Sequence, residues 1–225
     1  MSEATSQQHP IRSYVLRKGR ITKAQQHALQ TYWTEYGIEA ENRPLDLDAI
    51  FGREAPTVLE IGFGNGEVLA TLAEAEPDTN FIGIEVYPPG IGALLNKIKT
   101  KALTNVRIIR ADAAAVMPQC FADRCLRKIL ILFPDPWHKK RHHKRRLIQP
   151  NFVNMLAAKL CTDGILHLAT DWQNYAETMH ATITESKLYQ KLDASPLRPA
   201  TAFERRGRAL KHRIYELQYR VLNNP

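Results

Sequence analysis

A chain of 225 residues with 44% hydrophobic residues suits one compact domain with a full core, or one domain with short extensions. Its longest purely apolar stretch in the middle of the chain, Ile129–Phe133, is far too short to span a bilayer, and Met1–Pro10 lacks the apolar segment of a secretory leader. Cys120, Cys125 and Cys161 form no CxxC pair, so neither a disulfide framework nor a cysteine zinc site is expected, and a reducing, cytoplasmic setting is.

The net charge of +8 is unevenly placed. Arg12–Lys23 and His138–Arg146 contain five and six Lys/Arg and no acid, and Arg198–Arg213 contains six against Glu204. Together they carry +16, which leaves −8 on the rest. Three basic segments on an acidic body form a patch for phosphate backbones if the fold gathers them.

In chain order, residues 1–10 read as disordered, and 1–23 as a basic arm preceding a domain over 24–225. The spacing of Leu29, Tyr32, Trp33 and Tyr36 predicts a helix over Ala24–Tyr36. Val58–Ile61 is a short strand running into glycines. Glu67–Glu76 is a helix that Pro77 stops, and Phe81–Val86 a second strand. Pro88-Pro89-Gly90 reads as a turn before a helix over Ile91–Lys101. Val106–Arg110 and Lys128–Phe133 are further strands. Gln149–Leu160 is a helix, Gly164–Ala169 a strand, Tyr175–Glu185 a helix, and Arg213–Arg220 a late strand. Apolar strands alternating with helices predict an α/β fold, doubly wound, with a mostly parallel sheet covered by helices on both faces.

The first strand ends in Glu60-Ile61-Gly62-Phe63-Gly64-Asn65-Gly66. Glycines at a strand-to-helix turn let a backbone approach a ligand closely. The dinucleotide fingerprint GxGxxG would need a glycine where Glu67 stands, which disfavours a nicotinamide dehydrogenase. The GxGxG turn at Gly62, Gly64 and Gly66, with an acid two residues upstream, resembles the first motif of class I S-adenosylmethionine-dependent methyltransferases. Glu60 suits a cationic sulfonium amino acid better than a phosphate. Glu85 lies about 20 residues on, where a carboxylate accepts ribose hydroxyls. Asp112 follows the third strand, where methyltransferases commonly place a carboxylate near the adenine. All three fall at the C-terminal strand edge, where open α/β sheets bind ligands.

The fourth strand ends in Phe133-Pro134-Asp135-Pro136-Trp137, and His138–Arg146 follows at once. Two prolines stiffen the backbone about Asp135. His138, His142 and His143 have no carboxylate or cysteine companions nearby, so no metal is expected. The run FPDPWHKKRHHKRR resembles the signature of the bacterial tRNA (guanine-N7-)-methyltransferase family. Further segments match in order over about residues 11–222: Arg12–Val15 with Gly19-Arg20, Ala169–Trp172 with Tyr175, and Thr201–Glu204 with Arg206-Gly207.

The resemblance implies a class I methyltransferase fold, Rossmann-like, with a seven-stranded sheet. It implies S-adenosyl-L-methionine as cofactor and tRNA as partner, with N7 of guanine 46 in the variable loop as acceptor. Carried over, Glu60, Glu85, Asp112 and Asp135 serve the cofactor, with Asp135 also the catalytic carboxylate. Lys139, Asp171, Thr201 and Glu204 serve the substrate nucleoside. Arg141, His142, His143, Lys144, Arg145 and Arg146 contact RNA. Lys139 would meet guanine O6, while Asp171 or Glu204 would accept from N1 and N2. Trp137, Trp172 and Tyr175 are stacking candidates, with core packing the alternative for the last two. No membrane and no metal partner is expected. A monomer is the expected state, with a homodimer as the alternative. A methyltransferase of proteins or metabolites would leave the basic segments unexplained. A non-enzymatic tRNA-binding module would not need the intact acidic set.

Overall fold

The computed structural model describes residues 13–14, 19–193 and 198–222. The disorder expected of residues 1–10 lies outside them. In chain order the elements are α1 (Lys23–Tyr36), β1 (Gly37–Ile38), α2 (Leu47–Phe51), β2 (Thr57–Ile61), α3 (Glu67–Ala75), β3 (Asn80–Ile84), α4 (Pro88–Thr100), β4 (Val106–Ile109) and α5 (Ala113–Cys120). Then follow β5 (Leu126–Leu132), a 3-10 turn (Lys140–Arg145), α6 (Pro150–Lys159), β6 (Leu160–Thr170), α7 (Gln173–Ser186), β7 (Tyr189–Leu192), α8 (Ala202–Ala209) and β8 (Tyr215–Val221).

The strands form one sheet in the order β1-β4-β3-β2-β5-β6-β8-β7. All pairings from β1 to β6 are parallel, and β8 runs antiparallel to both β6 and β7. The sheet holds the seven strands expected plus the two-residue edge strand β1. From β2 the chain winds out through β3 to β4 and later resumes at β5 on the other side. The crevice over the ends of β2 and β5 is therefore the topological switch point, where such sheets bind ligands.

Alternation along the strands feeds two cores, one on each face. Leu59, Ile61, Ile82, Ile84, Ile129 and Ile131 pack with α6 and α7 residues such as Val153, Leu156, Tyr175 and Met179. Val58, Phe81, Val106, Ile108, Leu130 and Leu132 pack with α1, α3 and α4 through Ala28, Leu69, Leu94 and Leu95. Burying aliphatic side chains on both faces stabilises the fold by about 1.5–3 kcal/mol each, and leaves the sheet's C-terminal edge for function.

Local signals explain the boundaries. Thr22 and Gln25 form a reciprocal capping box that starts α1. Pro88 and Pro89 are not a separate turn but the first turn of α4, where a missing N–H costs nothing. Asp112 and Thr201 cap α5 and α8 with their side chains.

Candidate active site

A cavity of about 540 Å³ opens at the switch point. Its wall includes Glu60–Gly64 at the end of β2, Ile84–Tyr87 at the end of β3, Ala111–Ala113 after β4 and Leu132–Asp135 at the end of β5. Its mouth includes Ser13, Tyr14, Arg20, Thr201, Ala202, Phe203 and Arg206.

The glycine loop supplies the floor. Gly62, Gly64 and Gly66 have φ of 73°, 58° and 68°, the left-handed region that glycine enters without strain. A side chain at Gly90 in α4 would collide with the Gly64 carbonyl, so loop and helix touch backbone to backbone. The Gly64 amide donates to Glu85 Oε2 at 2.9 Å, while Val86 and Tyr87 amides donate to Oε1 at 2.7 and 3.1 Å. Glu85 thus staples the loop to the end of β3. With one donor on Oε2, that oxygen keeps a lone pair for another. Burial raises the Glu85 carboxyl above the usual carboxylate range against the pull of those three amides, and Asp135 adds to the rise.

Glu60 faces the same cavity and is only 3% exposed. Its Oε2 is buried with no hydrogen-bond partner. Burial pushes its carboxyl up to about 8, tempered by nearby Arg198 and reinforced by Glu85. A buried, unsatisfied carboxylate costs free energy until a cation or donor reaches it. Asp112 accepts from the Ala114 amide at 3.0 Å and lines the cavity beyond β4.

The turn carrying Asp135 is strained at both ends. Phe133 and Trp137, both aromatic, have φ of 54° and 47°. Such backbones persist where surroundings over-determine them, and cluster at functional sites. Phe133 donates its amide to the Ala169 carbonyl at 2.8 Å. Trp137 Nε1 donates to the Ser13 carbonyl at 3.1 Å, and the Arg145 guanidinium lies 5.0 Å over its ring. That bond ties Ser13 to the turn.

The remaining sequence-derived residues fall into two groups. Lys139, Lys140, Arg141, Lys144 and Arg145 are exposed on or beside the 3-10 turn. Asp171 stands at the end of β6, with its Oδ2 3.2 Å from His212 Nδ1. Trp172 is exposed and meets His138 edge-on at 4.2 Å, whereas Tyr175 is a core residue whose hydroxyl accepts from the Ile148 amide at 3.3 Å. Thr201 accepts from the Glu204 amide at 2.9 Å.

Two placements differ from what the resemblance implies. Arg146 is 2% exposed and turned inward, unlike its exposed neighbours Lys144 and Arg145. His143 faces it, Nε2 accepting from Arg146 Nη2 at 3.1 Å. Glu204 is buried rather than open to a base: Arg198 Nη1 donates to Oε2 at 2.7 Å, and Arg208 Nη2 to Oε1 at 2.6 Å. Burial would raise its carboxyl, but the hydrogen bonds from those two arginines prevail and hold it below the usual range.

Arg198 is the residue sequence reasoning missed. Its buried guanidinium also pairs with Glu216 of β8, whose other oxygen meets His167 Nε2 at 2.7 Å. No motif marks it; only the fold places one arginine among Glu204, Glu216 and Phe133. Arg205 was likewise unmarked. It reaches from α8 to Glu67, the first residue of α3, at 2.7 Å.

A family described as "Putative methyltransferase" matches residues 54–217, the span that holds the cavity's floor and the Asp135 turn. A tRNA (guanine-N(7)-)-methyltransferase of Pseudoalteromonas atlantica is 46% identical, covering 93% of this chain and 90% of its own. Its counterpart in Alkalilimnicola ehrlichii is also 46% identical, over 100% of this chain and 98% of its own. The chain belongs to the tRNA (guanine-N7-)-methyltransferase family. Like its relatives, this family member is a methyltransferase. Among solved structures, the 16S rRNA methyltransferase KamB superposes with a TM-score of 0.59 at 15% identity, covering 78% of this chain and 94% of its own. A 16S rRNA (adenine(1408)-N(1))-methyltransferase of Catenulisporales acidiphilia gives 0.55 at 14%, covering 80% and 93%. At such identities these establish the fold alone. It is the α/β Rossmann-like fold expected for the tRNA (guanine-N7-)-methyltransferase family.

Proposed function

We propose that this protein transfers a methyl group from S-adenosylmethionine to N7 of a guanine in tRNA, at position 46 as the family resemblance implies. The observation that carries the cofactor assignment is the Glu60 carboxylate, buried in the wall of the cavity with one oxygen unpartnered. A carboxylate acceptor there suits a cationic amino acid and not a pyrophosphate. The cavity volume of about 540 Å³ lies within the range of small-molecule sites. Glu60, the Gly62–Gly66 loop, Glu85, Asp112 and Asp135 would hold the cofactor, which when bound supplies an electrophilic methyl on a sulfonium centre.

The chain's own contribution is placement and charge. Guanine N7 carries a lone pair and no proton, so no residue has to act as a general base. Aligning the two reactants can supply roughly 7–11 kcal/mol of the barrier. Asp135, on the cavity wall, stabilises the positive charge that the purine gains. Lys139 would donate to O6. With Glu204 sealed by two arginines, Asp171 becomes the better acceptor for N1 and N2. Thr201 and Glu204 then shape the acceptor wall by capping and anchoring α8. In this reading the exposed Lys139, Arg141, Lys144 and Arg145, with Arg20 and Arg206 from the cavity lining, would contact the phosphates.

Among the described residues no helix is long and apolar enough to cross a membrane. The reading places the enzyme in the reducing cytoplasm, where its tRNA substrate is made. Incubating the protein with labelled S-adenosylmethionine and unmodified tRNA tests the reading. Label should appear as alkali-labile N7-methylguanosine; tRNA without label would reject it.

A further inference from the structure

We propose that Arg146, the last residue of the basic run, is a positioning residue for methyl transfer and makes no phosphate contact. The inference rests on the methyltransferase reading above and assigns a separate role within it. The guanidinium is spent inside the protein. Its Nε donates to the Pro136 carbonyl at 3.0 Å, Nη1 to Thr178 Oγ1 at 2.9 Å, and Nη2 to Asn174 Oδ1 at 2.8 Å and His143 Nε2 at 3.1 Å. Its face lies 4.7 Å over the Tyr175 ring. Four of five N–H donors are thereby used, and the plane is stacked.

The partners explain the purpose. Thr178, Asn174 and Tyr175 belong to α7, a rigid element on the sheet. Pro136 follows Asp135 directly, within the turn that is strained at Phe133 and Trp137. His143 belongs to the 3-10 turn. One side chain therefore fixes the strained turn and the base of the basic loop to a common support. Strained backbone relaxes unless something holds it. The Pro136 carbonyl is the point where this turn is held from α7, and Arg146 makes the bond. A lysine could not reproduce it, because a single ammonium lacks the planar fork.

The experiment compares Arg146→Ala, Arg146→Lys, Arg145→Ala, Asn174→Ala and Thr178→Val in the full-length enzyme. It measures kcat and KM for tRNA, cofactor binding, the salt dependence of tRNA affinity, and hydrogen exchange across residues 133–159. Arg146→Ala should lower kcat at least tenfold with KM for tRNA within about twofold. Its slope of log affinity against log salt should match the wild type, while Arg145→Ala should flatten that slope by about one. Arg146→Lys should not restore kcat. Exchange should quicken in the turn but not in α6. If Arg146→Ala does not fold, Asn174→Ala and Thr178→Val decide: each should cut kcat several-fold with an unchanged slope. A slope flattened by Arg146→Ala with kcat intact would overturn the proposal, and so would unchanged kcat in all four Arg146, Asn174 and Thr178 variants. Failure of the methyltransferase reading is distinct, because the wild type itself would then leave tRNA unlabelled.

Discussion

Replacing Glu60 by glutamine should make the empty protein more stable in a way that depends on pH. In the unfolded chain the carboxyl titrates near 4.5; in the folded protein burial carries it to about 8. Between those values the native state holds a proton that the unfolded state has released. Stability contributed by this group is thus complete below about pH 4.5 and is lost as pH rises through 8. At about 1.4 kcal/mol per pH unit over roughly 3.5 units, the full loss approaches ~5 kcal/mol, an upper bound for one fully buried carboxyl. Glutamine has nearly the same shape and no charge to bury. Differential scanning calorimetry of both proteins from pH 4.5 to 8.5 would compare them. They should melt together at the acid end, and the variant should lead by on the order of 10 °C at pH 8. Other titrating groups cancel in the difference. Parallel profiles, or a gap that closes toward high pH, would refute the reasoning. The same proton bears on binding: cofactor affinity of the wild type should climb toward pH 8 as Glu60 ionises, and that climb should vanish in Glu60→Gln.

Asp135→Ala should lower kcat roughly 10²-fold, the scale for deleting one preorganised electrostatic group; steady-state methylation assays with saturating tRNA check this. Arg145→Ala should weaken tRNA binding and flatten its salt dependence by about one, while leaving cofactor affinity unchanged by calorimetry. Asp171→Asn should raise KM for tRNA and allow inosine, which lacks the N2 amino group, to compete better with guanosine as acceptor; equal discrimination in both proteins would place Asp171 away from that edge. Thr201→Ala should cost about 1 kcal/mol in α8 through the lost cap, read as faster hydrogen exchange over residues 202–209.

The wound α/β core was legible in the chain because buried parallel strands leave short apolar runs bounded by breakers. Val58–Ile61 and Lys128–Phe133 are such runs. Several elements escaped, among them β1, α5 and others with weak periodicity. β7 has two exposed residues among its four, α2 spans barely a turn, and α8 is polar on most of its surface. Their existence depends on contacts that only the folded protein makes. The carboxylates that line the cavity were readable because each sits at a fixed offset from a strand end. The basic run was readable as charge, but the direction of each side chain was not. Arg145 and Arg146 are adjacent and chemically identical, yet one faces solvent and the other is buried against α7. Which one turns inward is decided by the Pro136 carbonyl and by Asn174, far along the chain. Arg198 and Glu204 likewise carry no local sign of the buried pairing between them.

The Arg205–Glu67 contact joins residues 138 positions apart at the rim of the cavity, and both partners remain substantially exposed. An exposed pair of this kind contributes no more than about 1 kcal/mol and weakens with salt. It is therefore a salt-sensitive tether between α8 and the start of α3 rather than a clamp. What holds the helix down is Glu204, whose buried carboxylate Arg198 grips from beneath. Raising the salt should loosen the outer tether and leave the buried pairing intact.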